Sequence, residues 1–297
     1  MIRVRVPATS ANLGAGFDCL GLALSMYNWI EVEETERGVE IIVPEADRLL
    51  VDIDDSNLVY TTMRKVMERI GYPMKGLRIK QVNDIPITRG LGSSAACIVG
   101  GILAANRLSG NMLSLKDMIS LATEMDGHPD NVLPAFVGGL TVACTDGKNV
   151  RYVRSEPASG LKFAVMIPDF PLPTSLARKI LPRQVSLEDA VYNIGRASLM
   201  FASLISGQVE NLWTASDDRL HQPSRKKLIP HWDDIVDGAR NLGAKGVFLS
   251  GAGPTMIAIL DRDYQLFQHE MSYLCSSFDE KWDIRIVDIC TEGARIE

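Results

Sequence analysis

Residues 3–6 alternate arginine with valine, the period-two pattern of a strand with one buried face. The same pattern predicts further strands over 22–33, 39–43 and 77–82. Between them Val59, Met63, Val66, Met67 and Ile70 recur at helical spacing, with Ser56 or Asn57 placed to cap them. A glycine loop at 89–94 leads into a run of small apolar residues, which predicts a helix to about 108. Ser114, with Asp117 three residues on, opens another helix to about 125, and 139–144 reads as a strand. The pattern then breaks at a turn-rich stretch, 155–160, which divides the chain into domains at 1–155 and 156–297. Beyond it come a strand at 161–167 and a long helix to about 205, capped by Ser186 with Asp189. A helix at 233–242 follows, then strands at 246–250 and 255–260 around a Gly-Ala-Gly-Pro turn. A helix at 265–277 and a strand at 282–289 close the chain. Strands grouped in antiparallel fashion with helices between them predict an α+β fold in both halves.

Composition narrows the functional classes. A chain of 297 residues is long enough for two domains and needs no disulfide or metal staple. The net charge of −6 excludes a general binder of nucleic acid or anionic membrane, so any anionic ligand must meet a local positive site. Cys19, Cys97, Cys144, Cys275 and Cys290 are odd in number, scattered and free of a CxxC pair. The four histidines form no HxxxH pair. Reduced thiols in the cytoplasm fit better than a zinc site or a disulfide framework. Arginines break the first residues too often for a signal peptide, and the most apolar run, 95–105, is about half of a bilayer span.

Four segments carry candidate chemistry. In Pro86-Ile87-Thr88-Arg89-Gly90-Leu91-Gly92-Ser93-Ser94-Ala95-Ala96, glycines let backbone N–H groups approach an anion. The helix that follows aims its unpaired N–H groups and positive dipole end at the same point. The loop is neither GxGxxG nor a Walker A sequence, and a tight turn before a core helix is the plainer alternative. The segment 7–18 sets Asn12 and Asp18 among small residues; an amide both donates and accepts, and a carboxylate holds an ammonium. The segment 124–131 offers a carboxylate at a helix end, of the kind that can ligate Mg2+, and Asp130 as a helix cap. His128 reads there as a loop-fixing hydrogen bonder. Ser250-Gly251-Ala252-Gly253-Pro254-Thr255 is a second glycine turn, and Arg178 and Arg225 are candidate carboxylate forks.

Taken in order, PATSANLGAGFD, PITRGLGSSAA, GHPDN and SGAGPT resemble the GHMP small-molecule kinases, a family named for galactokinase, homoserine kinase, mevalonate kinase and phosphomevalonate kinase. The resemblance spans nearly the whole chain, and the first and third segments look most like the homoserine kinase branch. It implies an N-terminal domain like the second domain of ribosomal protein S5 and a ferredoxin-like C-terminal domain. It implies ATP on the loop 86–96, Mg2+ held by Ser94 and Glu124 with Asp126 as the rival ligand, and commonly a homodimer. It also implies that Asn12, Asp18, Thr174, Arg178 and Arg225 bind a small amino-acid substrate, L-homoserine, whose hydroxyl accepts the phosphoryl group. The sequence departs from that branch at Asp126, where glutamate is usual, and at Ser224, where an aromatic is common. Asn131 stands where galactose and mevalonate kinases resemble each other in having an aspartate base, and an amide accepts no proton at neutral pH. Another kinase of the family, or a non-catalytic nucleotide binder on the same fold, remain the alternatives.

Overall fold

The computed structural model describes residues 1–297. In chain order the strands are β1 (Ile2–Ala11), β2 (Leu20–Thr35), β3 (Val39–Ile42), β4 (Gly76–Asn83), β5 (Leu140–Asp146), β6 (Asn149–Ser155), β7 (Lys162–Pro168), β8 (Gly246–Leu249), β9 (Met256–Leu260), β10 (Trp282–Val287) and β11 (Arg295–Ile296). The helices are α1 (Leu58–Ile70), α2 (Ser93–Leu108), α3 (Leu115–Asp126), α4 (Pro129–Val137), α5 (Thr174–Lys179), α6 (Leu187–Ser206), α7 (Leu212–Ala215), α8 (Gln222–Arg225), α9 (Trp232–Asn241) and α10 (Tyr264–Cys275).

Two sheets organise them. The first runs β11-β1-β2-β4-β3, with β5 branching from β2 and β6 beside β5; only the β3–β4 pair is parallel. The second runs β10-β7-β9-β8, all antiparallel. Counted within the second half, that order is 4-1-3-2 with helices in both crossovers, the ferredoxin-like split βαβ arrangement. Strands pass from one sheet to the other between Ser155 and Lys162. The expected cut at 155/156 misassigns the end of the chain, however. After Val287 the backbone returns to the first domain: Leu24 bridges Ile289, and β11 pairs with β1. The edge of β1 would otherwise be open, and the tail covers it.

Local chemistry explains the element ends. The Asn57 side chain accepts from the Val59 and Tyr60 amides, so Asn57 rather than Ser56 caps α1. Ser114 and Asp117 form a reciprocal capping box on α3. Ser186 accepts from the Asp189 amide at the start of α6. Asp130 is not a cap: His128 holds that position in α4 and Pro129 occupies the first turn, where its missing N–H costs nothing. Periodicity missed β6, a strand with little burial that shares the turn-rich stretch, and the short helices α5, α7 and α8.

Alternation along β7 shows how the domains join. Phe163, Val165 and Ile167 enter a core of 47 buried residues that is continuous with the first domain. Ala164 and Met166 face a second cluster of 17 residues, which includes Ile235 of α9 and Phe267 of α10. A core shared across the boundary holds the two domains at one relative position, so the cleft between them is a built feature of the fold.

Candidate active site

A cavity of about 680 Å3 lies between the domains. It receives residues from the turn after β1, the loop before α2, the α3–α4 corner, α5, α8 and the turn after β8.

The loop before α2 forms one wall. Gly92 adopts a left-handed conformation (φ +72°), and a Cβ there would stand 2.0 Å from Thr9 Oγ1. Gly90 (φ +76°) lies equally close to the second domain, where a Cβ would sit 2.4 Å from the Ser250 carbonyl oxygen. Glycine at both positions lets the loop press against both domains at once. No side chain caps α2, so the first-turn N–H groups open on the cavity beside the Ser93 and Ser94 side chains. Ile87, Thr88, Arg89, Gly90, Gly92, Ser93, Ser94 and Ala95 line the cavity; Pro86, Leu91 and Ala96 do not. Leu91 and Ala96 are core residues. Arg89 turns away from an anion-binding role. Its guanidinium donates to the carbonyls of Pro168 (2.9 Å), Asp169 (2.7 Å) and Ile87 (3.0 Å), which clips the loop to the end of β7.

The opposite wall is electrostatic. Arg225 is 1% exposed, and no carboxylate lies within ion-pair distance of it. It donates instead to the carbonyl of Gly251 (2.9 Å), to Ala177 O (3.3 Å) and to Nδ1 of His221 (3.2 Å). Nε2–H of His221 donates to Gly14 O (2.8 Å), which leaves Nδ1 as the acceptor for Arg225. Burial, followed by the neighbouring Arg178, lowers the Arg225 pKa to about 10, so the group stays cationic at neutral pH. Thr174 and Arg178 are four apart on α5 and share a face. Arg178 forks onto Asp18 at 2.8 and 3.3 Å, and its Nη2 reaches His128 Nδ1 at 3.1 Å. Asp18 and Arg178, expected to bind the two ends of an amino acid, therefore hold one another.

Asn12 (φ +74°) and Asp18 (φ +57°) bracket a left-handed turn, a strained conformation for residues other than glycine. Asn12 locks it from within: Oδ1 accepts the Asp18 amide (3.0 Å), and Nδ2 donates to Gly251 O (2.9 Å). The side chain expected to orient a substrate hydroxyl is first a clamp between the two glycine turns. Below the turn, Asp218 accepts the amides of Leu220, His221 and Gln222 and one N–H of Asn193. No motif in the sequence marks this network; it forms where Asn193 of α6 meets the loop between α7 and α8.

The α3–α4 corner separates the two candidate metal ligands. Glu124 and Asp126 are two residues apart, about 200° around a helix. Glu124 is exposed and pairs with Arg69 at 3.5 Å, outside the cavity, whereas Asp126 lines it. Burial pushes the Asp126 carboxyl up to about 6, opposed by Arg178. Asp130, which was expected only as a cap, also reaches the cavity and is 4% exposed. Burial, then Asp18 and Asp126, raise its pKa to about 7. Asn131 stands beside it, with Oδ1 accepting from Thr9 Oγ1 at 2.9 Å.

Family models agree with this architecture. The GHMP kinases N terminal domain model matches residues 57–139, and the GHMP kinases C terminal model matches residues 201–272. The chain belongs to the GHMP kinase family. Among curated relatives of this GHMP kinase, the homoserine kinase of Petrotoga mobilis is 49% identical over 100% of this chain and 96% of that protein. That of Caldicellulosiruptor bescii is 51% identical over 100% and 97%. A solved homoserine kinase from Cytophaga hutchinsonii superposes with a TM-score of 0.90 at 28% identity, covering 100% of this chain and 97% of that one. A mevalonate kinase structure shares the fold at a TM-score of 0.71 and 16% identity, over 98% and 100% of the two chains.

The Asp130 carboxyl gives a pH-dependent stability. Between about pH 4 and pH 7 the folded chain keeps a proton there that the unfolded chain has lost. Stability from this group falls as pH rises through that window. In buffer free of divalent cations, Asp130→Asn is expected to raise the melting temperature by several degrees at pH 8, with the gain shrinking toward pH 4. A gain that is the same at both pH values would assign it to packing.

Proposed function

We propose that this GHMP kinase transfers the γ-phosphoryl group of ATP to the hydroxyl of L-homoserine, forming O-phospho-L-homoserine for threonine biosynthesis. The observation that carries the substrate class is Arg225, a buried guanidinium on the cavity wall with no carboxylate of its own. A carboxylate ligand completes it, and charge-assisted forks of this kind are the strong ones. Arg178 lies beside it, bound to Asp18. A zwitterion substitutes for that internal pair without a net loss of charge contacts, its ammonium going to Asp18 and its carboxylate to the arginines. Sugars and mevalonate lack this pairing of charges.

The uncapped N-terminus of α2 supports triphosphate binding by its amides and by Ser94. The far end of the cavity, with Val51, Leu58 and Ile87 beside Asn57 and Gln81, suits a nucleobase. Ser94 and Asp126 supply hard oxygen donors of the kind Mg2+ takes, and no cluster of three acidic, histidine or cysteine side chains is present to hold a metal unaided. That fits an ion held jointly by protein and phosphates; when bound, it neutralises charge on the transferring group. The chain's own residues do the rest. The arginines and Asp18 fix both ends of the amino acid, which leaves the hydroxyl in line with the γ-phosphorus. The hydroxyl oxygen bonds to phosphorus as the bond to the β-phosphate oxygen breaks, ADP departs, and the proton passes late to the transferred phosphate. Asn131 offers an N–H donor there and cannot serve as base.

We also propose a cytoplasmic homodimer. Its support is the exposed apolar stripe of α6, where Leu187 is 81%, Val191 60% and Ile194 66% exposed, and a set of five unpaired cysteines. No helix is long and apolar enough to cross a membrane.

Four outcomes test these assignments. In coupled ADP release with ATP and Mg2+, turnover is expected on L-homoserine and not on mevalonate, galactose or L-serine. Arg225→Ala is expected to raise KM for homoserine by about a hundredfold, with KM for ATP nearly unchanged; equal effects on both remove it from the acceptor site. Asp126→Asn is expected to lower kcat and raise the Mg2+ requirement, while Glu124→Gln leaves both near wild type; the reverse result restores Glu124 as the ligand. Light scattering is expected to give a dimer mass for the wild type and a monomer mass for Val191→Glu with Ile194→Glu. A dimer mass that survives both substitutions places the interface elsewhere.

A further inference from the structure

Thr9 lies wholly buried on β1, within the segment 7–18 but not among the residues expected to touch a substrate. Its hydroxyl donates to Oδ1 of Asn131 at 2.9 Å, across 122 residues of sequence. Its backbone N–H donates to Leu91 O at 3.1 Å, inside the loop that leads to α2. Gly92 is packed against the same hydroxyl, so closely that a Cβ would stand 2.0 Å from it. One residue thus ties the first sheet to the loop before α2 through its backbone and to the α3–α4 corner through its side chain.

The bond has a direction with chemical consequences. A carboxamide has an accepting end and a donating end of nearly equal size, and packing alone distinguishes them poorly. A threonine hydroxyl can donate or accept; here it donates to the oxygen, which leaves the NH2 group for the cavity that Asn131 lines. Phosphate oxygens only accept hydrogen bonds. A carboxamide turned the other way would face them with its own lone pairs and repel the group it borders.

We propose that Thr9 is a positioning residue for phosphoryl transfer: its hydroxyl holds the Asn131 carboxamide with the NH2 end toward the transferring phosphoryl group and the acceptor hydroxyl. The proposal rests on the kinase reading above. It explains why a hydroxyl is buried at this point of β1, and why the loop places a glycine directly against it. Thr9 touches neither substrate and acts through Asn131.

The test compares Thr9→Val, Thr9→Ser, Asn131→Ala and the Thr9→Val/Asn131→Ala double variant by steady-state kinetics, with melting temperatures recorded for each. Thr9→Val is expected to lower kcat about ten- to hundredfold, with KM for ATP and acceptor within about twofold of wild type. Thr9→Ser keeps the hydroxyl and is expected to hold kcat within about threefold of wild type. The double variant is expected to match Asn131→Ala, because the hydroxyl then has nothing to orient. Wild-type kcat in Thr9→Val, a serine variant as impaired as valine, or an equal loss from Thr9→Val in both backgrounds would each overturn the proposal. Should Thr9→Val not fold, Thr9→Ser against Thr9→Ala makes the same comparison. Failure of the substrate assignment shows separately, in the wild type, as no turnover of homoserine. In that event the side-chain NH2 resonances of Asn131, identified by their loss in Asn131→Ala, decide the matter without a substrate. They are expected to shift and broaden in Thr9→Val, and unchanged signals overturn the proposal.

Discussion

A buried guanidinium without a counter-ion governs the layout of the site. Removing a charge from water is costly unless hydrogen bonds and an opposite charge replace the solvent. Arg225 has the hydrogen bonds, from the carbonyls of Gly251 and Ala177 and from the acceptor nitrogen of His221. No carboxylate of the chain lies within ion-pair distance of it. Two of its hydrogen-bond partners are in turn held by another part of the fold: Gly251 by Asn12, and His221 by Gly14. The two glycine turns are therefore locked together beneath the cation, and the locking spans both domains.

The shared core makes this arrangement possible. A cleft between independently packed domains would open and close, and the distances among Asn12, Gly251 and Arg225 would vary with it. Here one face of β7 and β9 belongs to the same buried cluster as the first sheet. Arg89 adds a polar clip between the phosphate loop and the end of β7. The tail after Val287 adds a third link by pairing with β1. These joints place the uncapped end of α2 opposite the arginines at fixed separation. Phosphoryl transfer needs that geometry, since positioning and charge stabilisation supply most of the catalysis in reactions of this kind.

The acidic side chains show how one corner separates roles. Asp18 is held ionically by Arg178, whereas Asp126 and Asp130 lie in drier surroundings that push their pKa values up to about 6 and about 7. Gly127 ends α3 in a left-handed conformation and Pro129 begins α4 immediately after, so Asp126, Asp130 and Asn131 converge on one point. Two carboxylates close together in a buried site carry a standing electrostatic cost, which a divalent cation or an ammonium relieves. Asn131 adds no third charge, and its amide is held by a neutral hydroxyl.

Much of this was readable from the chain alone, for physical reasons that can be named. Strands β1, β2, β4, β7 and β10 and helices α1, α2, α3, α6, α9 and α10 followed from the spacing of their apolar residues, and side-chain caps marked the starts of α1, α3 and α6. The glycine loop before α2 was legible as a turn leading into a helix, because glycine backbone and a helix start are local features. The ordered motifs identified the family, since they preserve a site in one dimension. What the tertiary structure alone decided concerns direction and pairing. Glu124 and Asp126 are equivalent as letters, and only the helix face separates a solvent-exposed carboxylate from one in the cavity. Asp18 and Arg178 are 160 residues apart, and nothing local tells that they bind each other. Arg89 reads in the sequence only as part of the glycine loop; its bonds to the carbonyls of Pro168 and Asp169, on the other domain, make it a clip. The sequence by itself determined which groups are present and which backbone segments hold them. Side-chain direction depends on contacts distant in sequence, so the folded chain alone determined which groups meet.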